Sequence, residues 1–193
     1  MPRINIDNSE EIMIGDERFV LYLPEEQLQA RIKELGEEIT REYESKVPVF
    51  IGLLNGSFLF MADLIKNVAL DCEIDFIRLS SYGDAKISSG SVKMVKDLNC
   101  DIEGRDVVVV EDIVDTGLSI NYIERLMENH KPASVKIVSL LLKPESLKYD
   151  AKIDYIGFKI PSKFVVGYGL DYAQKYRNLR SIYVLSENSE NGV

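Results

Sequence analysis

The sequence predicts an α/β protein with a central, mostly parallel, twisted sheet flanked by helices. Residues 107–110 are four consecutive valines, and such a β-branched, apolar run is typical of a strand buried on both faces of a parallel sheet. Strand-like segments also alternate with glycine-containing loops and helical patterns, as in βαβ units. A length of 193 residues with 46% hydrophobic content fits one domain with a full core. We therefore expect residues 1–193 to form a single domain.

The first half of the chain predicts a peripheral hairpin, then two strand–helix pairs. Short apolar pieces at 12–14 and 19–21 predict the hairpin. Pro24, followed by two glutamates, favours a helix start, and apolar residues recur at helical spacing to about residue 45. Residues 47–54 then predict a buried strand and 58–68 a helix.

The second half continues the alternation. Strands are predicted at 71–81, 92–96, 106–110, 134–142, 153–160 and 180–186, with a helix between about 120 and 129. The small, polar, glycine-rich residues 81–91 are either a flexible linker or a mobile lid over a site. Residues 161–172 are a loop or short strand that packs a planar ligand, or merely a bulged edge.

Composition excludes several classes of protein. A net charge of -9 argues against nucleic acid as the main partner, since phosphate neutralisation needs a basic surface. The absence of a stretch approaching 18 apolar residues predicts no membrane span, and the charged N-terminus predicts no signal peptide. Cys72 and Cys100 have no metal-like spacing, so free thiols in a cytoplasmic protein are favoured over a disulfide. The single histidine, His130, excludes a His-rich metal site.

The strongest functional signal follows the four valines. Glu111 and Asp112 come directly after the strand, and Asp115 opens the polar run Thr116-Gly117-Leu118-Ser119 before a helical pattern. Ligands of open α/β sheets bind at the carboxyl ends of strands, and a helix N-terminus suits a phosphate. The carboxylates suggest Mg²⁺ or sugar hydroxyls as partners. An acidic turn before a helix is often only an N-cap, but the complete run favours the functional interpretation.

Two further features are ambiguous on their own. Asn55-Gly56 is either an ordinary turn or a ligand loop after a buried strand. Lys143, at the end of another predicted strand, is either solvated or part of a site.

The run from Glu111 to Gly117 resembles the phosphoribosyl-pyrophosphate (PRPP) binding motif of type I phosphoribosyltransferases. Together with residues 163–172, it makes most of the chain similar to the hypoxanthine or hypoxanthine-guanine phosphoribosyltransferases. The resemblance implies the type I fold, with a small hood from the N-terminal segment and residues of about 150–180, and a mobile loop. It also implies purine salvage: transfer of the phosphoribosyl group of PRPP to a 6-oxopurine, with Mg²⁺, in a homodimer or homotetramer.

The resemblance also implies residue roles. Asp115 would be the general acid/base at purine N7, and Lys143 would select the 6-oxo group. Phe164 would stack on the base, and the Val165 backbone would read its edge. The PRPP site would comprise Glu111, Asp112, Asp115, Thr116, Gly117, Leu118, Ser119, Asn55, Gly56 and Arg177. Mg²⁺ would be bound by Glu111, Asp112 and, for a second ion at the purine side, Asp171. The mobile loop would begin at Ser81 and Tyr82.

The chain departs from the family pattern at two of these positions. Asn55 and Leu118 stand where lysines are frequent in the family. The resemblance also implies that the peptide bond between Asn55 and Gly56 can be cis. Two other functions stay open at this point: a PRPP-binding regulator without turnover, and a xanthine-preferring enzyme. Retention of Asp115 and Lys143 in an acidic chain favours the enzyme, and Lys143 argues against adenine. The sequence leaves open whether hypoxanthine alone or both hypoxanthine and guanine are used.

Overall fold

The computed structural model describes residues 9–81, 92–96 and 98–186. The elements in this part of the chain are β1 (Glu11–Ile14), β2 (Glu17–Leu23), α1 (Glu25–Glu42), β3 (Val49–Leu54), α2 (Phe58–Lys66), β4 (Glu73–Ser81), β5 (Val92–Lys96), β6 (Asp106–Val114), α3 (Leu118–His130), β7 (Ser134–Leu142), a 3₁₀ turn (Pro144–Ser146), β8 (Tyr155–Lys159), β9 (Val165–Val166) and β10 (Ile182–Leu185).

Six strands form the central sheet, in the order β5-β4-β3-β6-β7-β8. The pairs β4–β3, β3–β6, β6–β7 and β7–β8 are parallel, and only β5 runs antiparallel to its neighbour. The four valines of β6 are fully buried at the centre. Val108 and Val110 pack in a core with α1 and α2, whereas Val107 and Val109 pack with α3. The predicted sheet with helices on both faces is confirmed.

The central strand is longer than the sequence predicted. We expected Glu111 and Asp112 to follow a strand that ends at Val110, but β6 continues to Val114. The reason is asymmetric pairing: β3 pairs with β6 only as far as Gly52 opposite Val110, whereas β7 pairs with it to the last residue. The two carboxylates therefore lie within a strand, on the side that β3 no longer covers.

A second, four-stranded antiparallel sheet has the order β1-β2-β10-β9. The predicted N-terminal hairpin is β1 and β2, with Gly15 in the left-handed region at its turn. Phe19, Val166 and Tyr183 form the core of this small sheet. Segment 161–172 contributes the two-residue strand β9, whereas β8, at 155–159, belongs to the central sheet.

The predicted loop at 81–91 begins where β4 ends, at Ser81. Tyr82 and the rest of that loop lie outside the described residues. Among the helices that the structure describes, none has the length and apolar character needed to cross a membrane.

Candidate active site

Three segments meet at the carboxyl edge of the central sheet and enclose a cavity of about 400 Å³. They are the loop after β3, the region from β6 to the start of α3, and the loop that precedes β10; the ends of β3 and β4 complete the lining. Nine of the predicted site residues line this cavity: Asn55, Gly56, Glu111, Asp112, Thr116, Leu118, Ser119, Asp171 and Arg177. The structure therefore brings most of the predicted PRPP site together. Leu53, Leu54 and Leu79 also line the cavity but carried no signal in the sequence beyond their apolar character.

Two adjacent carboxylates dominate the electrostatics of this cavity. The Oε2 atom of Glu111 is buried and finds no hydrogen-bond partner within the described part of the chain. Burial, together with the neighbouring charge of Asp112, raises the pKa of Glu111 well above its ordinary value. Burial also raises the pKa of Asp112 to about 6. Such a pair favours a cation or hydroxyl donors as ligands.

The backbone of Gly56 lies close to the Asp112 carboxylate. A Cβ atom at Gly56 would lie 1.8 Å from Asp112 Oδ2, so a residue other than glycine would displace that carboxylate. Gly169, in the left-handed region at φ +95°, also lies close to the Gly56 carbonyl: a Cβ would meet that oxygen at 2.2 Å. The cis peptide of this loop joins Leu54 to Asn55, one residue before the position we expected from the family.

The loop before α3 presents free amides. Gly117 is the N-cap of α3, with φ +82°, and its carbonyl accepts a hydrogen bond from Asn121 N at 3.0 Å. The amides of Gly117, Ser119 and Ile120 donate to no acceptor within the ranges that the structure describes. A cavity of about 90 Å³ lies against this loop. Unpaired amides at a helix N-terminus are suited to an anion such as a phosphate.

Lys143 and Asp115 form an ion pair, with Nζ 2.8 Å from Oδ2. The Lys143 side chain is 10% exposed, whereas that of Asp115 is 47% exposed. The Lys143 amide donates to the Val114 carbonyl at 2.9 Å, which places the lysine beside the end of β6. Lys143 is therefore buried and paired rather than solvated. Asp115 also lines the small cavity at the loop before α3, so the pair adjoins the candidate phosphate site.

Arg177 lines the larger cavity together with Asp171. It forms an ion pair with Asp171 at 2.8 Å and donates to the Gly169 carbonyl at 2.8 Å. Asp171 also accepts a hydrogen bond from Gln174 N. No cluster of three or more His, Cys, Asp or Glu residues in the described part of the chain is arranged to hold a metal ion. Two carboxylates such as Glu111 and Asp112 are nevertheless suited to Mg²⁺, which is commonly bound by one or two carboxylates together with substrate phosphates.

The remaining purine-site candidates lie in or next to the small sheet. The half-exposed ring of Phe164 makes edge contacts with Phe19 at 6.2 Å and Tyr172 at 5.8 Å. Val165 is buried and pairs with Val184. Phe164 and Val165 line neither of the two cavities described above. The aromatic neighbours of Phe164 were not predicted, since Phe19 lies far from it in sequence.

The fold and this site define a phosphoribosyltransferase. A family model described as "Phosphoribosyl transferase domain" matches residues 22–173, which include every element from α1 to β9.

Individual relatives narrow the assignment. The chain is 51% identical to the hypoxanthine-guanine phosphoribosyltransferase of Bacillus subtilis (strain 168) over 163 residues, which is 84% of this chain and 91% of the relative. It is similar in structure to a hypoxanthine-guanine phosphoribosyltransferase of Bacillus anthracis, with a TM-score of 0.82, 46% identity and coverage of 86% and 98%. A hypoxanthine phosphoribosyltransferase of Staphylococcus aureus also has a TM-score of 0.82, with 45% identity and coverage of 86% and 90%. The chain therefore belongs to the phosphoribosyltransferase family, among its hypoxanthine-guanine members.

Proposed function

We propose that this chain transfers the 5-phosphoribosyl group of PRPP to a 6-oxopurine in purine salvage. Hypoxanthine would give IMP and pyrophosphate, and guanine, if it is used, would give GMP. The observation that carries this proposal is the Lys143–Asp115 pair beside the free amides at the N-terminus of α3. The names of the relatives support the same substrates.

The pair matches one edge of a 6-oxopurine. Atoms O6 and N7 lie side by side on that edge; O6 accepts a hydrogen bond, and N7 donates one when it carries a proton. Lys143 would donate to O6, and Asp115 would face N7. Adenine places an amino group at the same position, and this donor would meet the lysine ammonium, which has no acceptor. Lys143 therefore favours 6-oxopurines over adenine.

The cavity would hold PRPP. The amides of Gly117 and Ser119, with the Thr116 and Ser119 hydroxyls, would bind the 5′-phosphate. Glu111 and Asp112 would hold the ribose hydroxyls. Arg177 and the peptide of Asn55-Gly56 would contact pyrophosphate.

Mg²⁺, held by Glu111 and Asp112 and by oxygens of PRPP, would offset the negative charge of the departing pyrophosphate. Asp171 was also expected to bind an ion. Its existing ion pair with Arg177 means that this role would require the pair to open.

The reaction forms a bond between purine N9 and the anomeric carbon and breaks the bond from that carbon to pyrophosphate. Positive charge develops on the ribose as the pyrophosphate leaves, as in glycoside hydrolysis, and the Glu111–Asp112 pair favours it. The base loses its N7 proton to Asp115 in the same process. Phe164 would stack on the base, and the Val165 backbone would read its edge. The loop that begins at Ser81 and Tyr82 would exclude water.

Location and assembly belong to the same proposal. Cys72 and Cys100 are free thiols, which supports a cytoplasmic protein. A homodimer or homotetramer is expected from the family. A PRPP-binding regulator of nucleic acid would need a basic face, and the net charge of -9 gives no support for one.

The test of this proposal compares the protein with its Asp115→Asn variant. With PRPP, Mg²⁺ and hypoxanthine, the unmodified protein should form IMP and pyrophosphate in equal amounts. Asp115→Asn should lower kcat by roughly 10²–10⁴-fold, since a general acid/base contributes about that much. PRPP binding by the variant, measured by calorimetry, should persist. Undiminished turnover in the variant would contradict the role of Asp115.

A further inference from the structure

The Thr116 carbonyl is held by a segment on the other side of the loop before α3. It accepts hydrogen bonds from two backbone amides, those of Lys148 at 3.0 Å and Tyr149 at 3.2 Å. The side chains of both donors are exposed. The contact is therefore made by the main chain of residues 148–149, whatever their side chains.

Peptide geometry transmits this contact to the anion cradle. A planar trans peptide directs its C=O and N–H bonds to opposite sides. The fixed Thr116 carbonyl therefore turns the Gly117 amide away from residues 148–149. That amide has no acceptor within the described residues, so it is free for a ligand. The segment also packs tightly, because a Cβ atom at Gly117 would lie 3.1 Å from the Tyr149 carbonyl oxygen.

We infer that Lys148 and Tyr149 are positioning residues for the 5′-phosphate, acting through their main-chain amides on the Thr116–Gly117 peptide. This inference rests on the proposed function of that loop as the phosphate site. Lys148 lies five residues after Lys143 along the chain. The Lys143 carbonyl accepts a hydrogen bond from Ser146 N. Residues 143–149 thus connect the purine-selecting lysine to the phosphate cradle by one short, hydrogen-bonded stretch of chain.

The experiment removes one amide donor. Lys148→Pro deletes the N–H, and Leu147 has ψ 126°, a conformation that is favoured before proline. Lys148→Ala is the matched control, because it truncates the same side chain and retains the N–H. Calorimetric titrations would use IMP and inosine, which share the purine and ribose but differ in the phosphate. Lys148→Pro should bind IMP about tenfold more weakly, because the Gly117 amide would no longer point at the phosphate and one hydrogen bond to a charged group would be lost. The affinity for inosine should not change.

The ratio of the two affinities separates positioning from general damage. The inference is overturned if IMP and inosine weaken equally, if Lys148→Pro keeps the full preference for IMP, or if Lys148→Ala loses as much as the proline variant. An ester in place of the Lys148 amide, introduced by nonsense suppression, removes only the N–H and gives the same test should the proline variant not fold. If the unmodified protein itself bound IMP no better than inosine, the phosphate site of the proposed function would fail.

Discussion

Replacing Asp112 by asparagine should stabilise the folded protein while it impairs PRPP use. Asp112 lies in the cavity with Glu111 and against the backbone of Gly56, so its charge is partly withdrawn from solvent and next to a second carboxylate. Asparagine has nearly the same shape but no charge. The stabilisation and the loss of function would have one cause: the variant lacks the ionised carboxylate that binds the ligands of the site.

The magnitude follows from the pKa of Asp112. Burial raises it from 3.8 to about 6, so the folded protein binds this proton more tightly than the unfolded chain. Ionisation therefore destabilises the folded state as pH rises above the unfolded value, and the effect is complete above the folded value. The shift corresponds to at most about 3 kcal/mol at pH 8. Because the cavity admits solvent, we expect about 1–2 kcal/mol, or an increase in Tm of about 3–6 °C.

The assay is urea unfolding of the unmodified protein and Asp112→Asn between pH 5 and pH 8. The free energy of unfolding should favour the variant at pH 8, and this advantage should shrink by about a quarter at pH 5, where more of the Asp112 population is protonated. Glu145→Gln, at an exposed position of the 3₁₀ turn, controls for the loss of one charge. Added Mg²⁺ should stabilise the unmodified protein more than Asp112→Asn.

Two results would refute this reasoning. A variant that is less stable than the unmodified protein at pH 8 would mean that Asp112 makes favourable contacts that outweigh its buried charge. A stability advantage that is the same at pH 5 and pH 8 would show that ionisation is not its cause.

Two other substitutions test separate parts of the site. Lys143→Ala should raise KM for hypoxanthine about 10- to 100-fold, the effect of losing a hydrogen bond from a charged group, with KM for PRPP nearly unchanged; a parallel fall in both affinities would reassign Lys143 to the phosphate side. Gly56→Ala places a Cβ atom 1.8 Å from Asp112 Oδ2 and should lower kcat/KM by about 10²-fold through misplacement of that carboxylate. Gly104→Ala, where the Cβ position is open but φ is +68°, is the control in the same assay for backbone strain away from the site, and equal losses in both variants would contradict the second prediction.

Local pattern was sufficient for much of the fold. The valine run and its flanking loops predicted the central strand, and the apolar spacing of α1 predicted the helix that covers one face. The predicted end of β6 was wrong, because the length of a strand depends on how far each neighbouring strand pairs with it. At Glu111 and Asp112 only β7 does so, and residue pairing across the sheet is not contained in the local sequence.

The site was predictable where its residues are consecutive and not where distant segments meet. The run from Glu111 to Ser119 was predicted as a ligand site from its position after a strand and from its resemblance to the PRPP motif. The ion pair of Lys143 with Asp115 and the close approach of Gly56 to Asp112 join residues far apart in sequence. The two amides on the Thr116 carbonyl belong to exposed residues that carry no side-chain signal at all.

The central claim is that this site transfers a phosphoribosyl group and selects its base by the 6-oxo group. It is tested most directly by a spectrophotometric assay with PRPP and Mg²⁺ against hypoxanthine, guanine, xanthine and adenine in parallel. We predict turnover of hypoxanthine and none of adenine, and the rate with guanine will show whether the specificity is single or dual. Turnover of adenine at a rate equal to that of hypoxanthine would contradict the role of Lys143, and PRPP binding without turnover of any base would contradict the enzyme itself.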